Sequence, residues 1–166
     1  MALQIHLPSR RRSPAPERSW PTRLAGFLSQ HSIDWLRVSL GLVIVGFGLL
    51  KFFPGESPAE PLVVPTTEML TVGVVSGQAA MVATALLECF IGFTLLTGVA
   101  LRLGLVAMAG WLLGILSPVV LMAGTLFPDG LPTIEAQYVL EDVILATAAA
   151  VVAARALGAR LVAPTE

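Results

Sequence analysis

Long apolar stretches, broken by short clusters of proline, glycine and charge, set the pattern of this chain. From Leu103 to Phe127 no residue is charged, and between Glu68 and Arg102 the only charge is Glu88. About 20 apolar residues cross a bilayer as a helix. These stretches are too long and too uniform for the core helices of a soluble domain. The pattern predicts four membrane-spanning helices, over about residues 33–53, 79–100, 103–125 and 137–157. Pro54-Gly55 ends the first, Arg102 marks a tight turn between the second and third, and Pro118 kinks the third. Phe127-Pro128-Asp129-Gly130 is a turn signal before the fourth. Neither β-barrel alternation nor an internal repeat is visible. The expected fold is all-α, an integral membrane four-helix bundle.

The flanking segments read differently. Residues 1–24 are rich in Arg, Pro and Ser and are expected to form a disordered basic arm. Residues 24–32 suit a short interfacial helix, with Trp20 and Trp35 at the headgroup layer. The connection over residues 55–78 contains Pro58, Pro61 and Pro65, followed by a weakly helical stretch over 67–75. So long a connection in a small bundle is usually functional, and its valines and leucines should pack it onto the bundle or the interface. Residues 25–158 are the bundle, and 159–166 form a polar tail.

Composition agrees: 55% of the 166 residues are hydrophobic and only 13% are charged, against about 25% in soluble domains. The cations set the orientation. With the N-terminus inside, nine of the ten cations (Arg10, Arg11, Arg12, Arg18, Arg23, Arg37, Arg102, Arg155 and Arg160) lie on the cytoplasmic side. The outer loops then contain Glu56, Glu60, Glu68, Asp129 and Glu135. Both termini are expected on the cytoplasmic side of the membrane. No apolar signal-peptide core occurs in the first 30 residues.

The scarce chemistry excludes several function classes. Cys89 is the single cysteine, so an internal thiol relay is excluded and a packing role is simplest. His6 and His31 both precede the first span, leaving no intramembrane pair for haem and no cluster for zinc. No covalent or metal cofactor is expected. No basic surface interleaved with aromatics exists for nucleic acid. The lipid bilayer is the one certain partner.

Four ionisable groups fall inside the spans: Lys51, Glu88, Glu141 and Asp142. Each costs about 2.5–3.5 kcal/mol to insert at mid-bilayer, so such groups face a bundle interior or a cavity and are paired. Lys51 shares a helical face with Gly48, Gly41 and Arg37, which points it inward; snorkelling to the headgroups is the other reading. Thr84, Glu88 and Gly92 make a small or polar stripe. Glu88 is either a hydrogen-bond donor or proton carrier for a ligand, or a structural clasp between two helices. Counting from the expected boundaries puts it about 13 Å below the outer surface and about 10 Å below Lys51. Lys51 is therefore expected to pair with Asp142 or Glu141, whose side chains diverge by about 100°. The four residues define a candidate polar pocket in the outer half of the bundle. Gly110 and Gly114 offer a close helix contact. Trp111 and Phe90 suit either packing or stacking on a flat ligand, and Met108 and Met122 suit the core.

Several runs resemble the YkgB-like branch of the DoxX superfamily. They are GLLKF at 48–52 followed by PGESPAEPLVVP, then LLECFIGFTLLTGVALRLG, ILSPVVL and QYVLEDVILATAA. The resemblance covers about residues 33–158 and includes Lys51, Glu88, Gly92, Gly98 and Arg102; the family's Lys-Asp pair is matched at Asp142 and departs at Glu141. It implies a four-helix inner-membrane bundle tied to redox or oxidative-stress physiology. Relatives include subunits of thiosulfate:quinone oxidoreductase, a membrane partner of oxidative-stress enzymes and a reactive-chlorine resistance protein. The implied function is a membrane subunit or anchor of a quinone-linked oxidoreductase system, with a quinone or lipid as ligand. Electrons would come from another membrane or redox protein, or from the quinone. A structural subunit of a larger membrane complex is the alternative, and a small-solute or proton transporter in an oligomer is the third reading.

Overall fold

The computed structural model describes residues 20–160, and these are all-helical. Helix α1 runs Trp20–Leu50, α2 Glu60–Leu70, α3 Gly77–Thr97 and α4 Leu101–Leu116. Two single turns follow, α5 Pro118–Leu121 and α6 Ala123–Leu126, then a 3-10 turn Pro128–Gly130 and α7 Ile134–Ala156. Three helical stretches are long and apolar enough to cross a membrane: Trp20–Leu50, Gly77–Thr97 and Leu101–Leu121. Helix α7, of 23 residues, is the fourth long helix and contains Glu135, Glu141, Asp142 and Arg155.

Helix α1 is longer than expected. Its 31 residues extend for about 46 Å at 1.5 Å per residue, more than the roughly 30 Å of a bilayer's hydrocarbon. The interfacial helix expected over 24–32 is the first part of this helix, because no proline or glycine pair separates it from the span. Residues 20–24 of the expected basic arm are helical too; the rest of that arm and the end of the tail lie outside the described residues. At the other end, Lys51, Phe52 and Phe53 donate backbone bonds to Gly48, Leu49 and Leu50, a tightened last turn before Pro54.

Helices α1 and α3 form the tightest pair, running antiparallel. A methyl group added at Gly92 would strike the Val45 side chain and come within 2.9 Å of the Gly41 carbonyl oxygen. One at Gly48 would lie 3.0 Å from Glu88 Cβ and 3.2 Å from Cys89 Sγ. Small residues let backbones approach this closely. Farther down the same face, the Arg37 guanidinium donates to the carbonyls of Leu95 and Leu96. These belong to the last turn of α3, whose carbonyls lack helical partners and hold the negative end of the helix dipole.

The core is continuous through the lower half of the bundle. Leu40 and Ile44 of α1, Ile91 and Leu95 of α3, Met108 and Leu112 of α4, and Ala149 and Val152 of α7 pack together. The turn between α3 and α4 uses Gly98 at φ 75° and Ala100 at φ 52°. Ser117 and the buried Pro118 break the third span, as the position of proline requires.

The connection after α1 is more ordered than its prolines indicate. Its helix covers Glu60–Leu70 rather than the 67–75 stretch, where Thr71 bonds its hydroxyl to the Thr67 carbonyl and turns the chain. Pro61 sits in the first turn, where a missing N–H removes no helical bond, so only Pro65 interrupts the ladder. Because Glu88 packs at the level of Gly48, α3 overruns the end of α1 by roughly 13 Å. Helix α2 packs on α3, α4 and α5 beside that overhang.

Candidate functional site

Lys51 Nζ donates to Glu88 Oε2 at 2.8 Å, and both side chains are buried, at 4% and 2% exposure. The other carboxylate oxygen, Glu88 Oε1, accepts from Trp111 Nε1 at 3.1 Å. Lys51 also reaches the Phe47 carbonyl at 3.5 Å. One lysine from the end of α1, one carboxylate from α3 and one indole from α4 thus tie three helices together. This is the one ion pair among the described residues.

The expected pairing of Lys51 with span four is therefore overturned. Counting from span ends misplaced Glu88, because glycine packing rather than loop position sets the register of α3 against α1. Gly48 touches Glu88 directly, and Lys51 lies three residues farther on, about 4.5 Å along the axis. Side-chain direction closes the remainder. Side chains lean toward the N-terminus of their own helix, so Lys51 folds back along α1 while Glu88 of the antiparallel α3 leans up to meet it.

A cavity of about 840 Å³ opens beside the pair. Its walls come from α1, α2, α3, α4 and α7, and most of its lining is apolar: Ile44, Phe47, Leu62, Val63, Leu87 and Ile115 are examples. Lys51, Glu88, Glu141 and Asp142 all line it. Asp142 is half-buried and Glu141 exposed, and neither makes a hydrogen bond or ion pair to another described residue. Thr84 turns its hydroxyl back to the Ala80 carbonyl at 2.9 Å. No known protein family, curated protein or solved structure matches this chain.

Three parts of the site depart from the residue-by-residue reading. Gly110 and Gly114 make no close helix contact: an added Cβ would meet nothing within 4 Å at either, and both line the cavity. Trp111 is a hydrogen-bond partner of Glu88, which the sequence reading missed. A signal existed, because an indole N–H far from the headgroup layer needs a buried acceptor. The connection after α1, expected to be functional and to pack on the bundle or the interface, supplies one wall through Pro58 and Ala59 and through Leu62, Val63, Thr66 and Thr67 of α2.

The arrangement holds a charged pair in an apolar setting without leaving a buried polar atom unpartnered among the described residues. It offers a ligand a large apolar volume with polar groups gathered at one side. Among the described residues no three His, Cys, Asp or Glu side chains gather in a group suited to a metal ion.

Proposed function

We propose that this protein is a four-span subunit or anchor of a quinone-linked redox system in a bacterial cytoplasmic membrane, with both termini inside. In this reading α7 is the fourth span, and the cavity beside Lys51 and Glu88 holds a quinone-class molecule. The observation that carries the reading is the cavity itself. Ligand sites are mostly apolar volumes of roughly 300–1,000 Å³ with a few placed polar groups. This one has about 840 Å³ with Lys51, Glu88, Trp111 and Asp142 on its walls. Intramembrane charges facing a cavity mark functional pathways. The resemblance to the YkgB-like branch of the DoxX superfamily supports the redox assignment. The electron donor or acceptor is a partner protein.

The test is purification in native-lipid nanodiscs, extraction of bound lipid, and mass spectrometry of lipids and co-purifying proteins. A quinone retained at near one per protein, together with a redox partner, is the expected result. A preparation with neither sinks the redox reading. A structural-subunit role would instead give a larger complex assembled around the chain with no quinone bound to it.

A further inference from the structure

The seam between α1 and α7 is closed at one end and open at the other. In the lower half, Leu40 and Ile44 pack against Ala149 and Val152, all buried. One turn farther on the same stripe of α1, Phe47 is 52% exposed, and its counterpart on α7, Ile144, is 69% exposed. Both line the cavity. Helix α2 packs chiefly on α3, α4 and α5, so it walls the opposite side and leaves this one open. In the proposed orientation the gap faces the acyl chains of the outer leaflet.

The hydrogen-bonding capacity inside is lopsided. The donors nearest Glu88 are committed: Lys51 and Trp111 to Glu88, Thr84 to Ala80, and Thr66 to the Met122 sulfur, while the Tyr138 and Thr67 hydroxyls on the wall bond no other described residue. The carboxylates of Asp142 and Glu141 are uncommitted acceptors on the wall, and Asp142 is the more buried of the two. A ligand headgroup that only accepts hydrogen bonds can use the Tyr138 or Thr67 hydroxyl but leaves both carboxylates unmatched. A headgroup that donates finds Asp142. An anionic headgroup would face both Asp142 and Glu141, with Lys51 already neutralised.

We infer that the cavity admits a bilayer-resident lipid sideways through the α1–α7 gap, and that the lipid's hydroxyl-bearing, uncharged head donates a hydrogen bond to Asp142. The inference rests on the cavity being a ligand site. Within the quinone reading it assigns the reduced, hydroxyl-bearing quinol as the bound form.

The test uses Trp111 as the reporter. The full chain with Trp20→Phe and Trp35→Phe, which leaves Trp111 as the sole tryptophan of three, is placed in nanodiscs of phospholipid brominated on the acyl chain. Bromine in the gap quenches Trp111. A few mole per cent of a competing lipid barely dilutes the bulk bromine, so relief of quenching reports displacement from the cavity. Decylubiquinol is expected to relieve it at a concentration about tenfold lower than decylubiquinone, the ratio one hydrogen bond to a carboxylate supplies. Asp142→Asn should narrow that ratio. The wild-type ratio stands as a readout even where the variant folds poorly. Relief by dioleoylglycerol, with neither quinone form effective, supports the inference and sinks the quinone reading. Absence of quenching overturns it, as does quenching that no hydroxyl-bearing lipid relieves. Equal potency of decylubiquinol and decylubiquinone overturns it too.

Discussion

Lys51 and Glu88, 37 positions apart in the chain, meet at 2.8 Å in a buried ion pair. The pair exists because two helices with small faces run antiparallel. Gly48 lets α3 approach until Glu88 lies against it, and Lys51, one turn on, drops its four-carbon stem into the space beside it. Trp111 then fixes the second carboxylate oxygen from α4.

A buried ion pair of this kind costs most when half of it is removed. Lys51→Met leaves Glu88 without its counter-charge and is expected to destabilise the bundle by about 3–5 kcal/mol, with Glu88→Leu alone similar. The double variant Lys51→Met/Glu88→Leu should recover most of that loss, because two apolar side chains replace a neutralised pair. Thermal unfolding of all four proteins in one detergent provides the cycle. Additive single losses would show that the two residues do not act as a unit.

The indole contributes a separable part. Trp111→Phe keeps most of the ring volume and removes the N–H that Glu88 Oε1 accepts. An acceptor left without its donor in a buried site costs about 1–3 kcal/mol. In a Glu88→Leu background the same substitution should cost markedly less, since the acceptor is gone. An unchanged cost in that background would assign Trp111 to packing alone.

How much of this was legible beforehand depends on the range of the interaction. The apolar runs report helices because each span satisfies its own backbone. The face of α1 holding Arg37, Gly41, Gly48 and Lys51 follows from helical periodicity, and all four do face α3. The partner of Lys51 did not follow. Axial register between helices is set by contacts such as Gly41 with Gly92, and no pattern within one helix records it. Helix α2 was misplaced because its prolines read as breakers, whereas Pro61 occupies the one turn that tolerates them. A pocket with Lys51, Glu88, Glu141 and Asp142 on its walls was expected, but its apolar extent was not legible, for a related reason. It is walled by α1, α2, α3, α4 and α7 together, and only their joint geometry defines it.

Glycines of the two kinds should respond oppositely. Gly92→Val forces a side chain into Val45 and the α1 backbone, an overpacking expected to cost about 1–3 kcal/mol or to splay the helix pair. Gly110→Ala and Gly114→Ala meet open space and gain up to about 1 kcal/mol each in helix propensity. Melting temperatures of the three variants in detergent check both signs. A loss at Gly110 or Gly114 would point to a second copy of the chain packing on that face.

Arg37 should act on one end of α3 only. Its guanidinium caps the carbonyls of Leu95 and Leu96, and hydrogen bonds to a charged donor contribute about 1.5–3 kcal/mol. Arg37→Met is expected to raise amide hydrogen exchange from Leu96 through Ala100 while exchange around Glu88 stays unchanged. Uniform acceleration along α3 would mean that Arg37 supports the whole bundle rather than its terminus.

Orientation can be read from two sites on opposite ends of the bundle. Val72, 91% exposed, follows α2 at the Lys51 end, and Gly158, at φ 105°, follows α7 at the other. Because Cys89 is the single native thiol, Cys89→Ala supplies a background for one new cysteine at a time. With four spans and inside termini, Val72→Cys reacts with a membrane-impermeant maleimide on intact cells. Gly158→Cys reacts only after permeabilisation. The cation distribution demands this result, since Arg102, Arg155 and Arg160 share the end of Gly158 and no Lys or Arg lies in the chain from Phe52 to Leu101. Labelling of both sites on intact cells would leave an even number of crossings between them, with α7 lying along the membrane instead of through it.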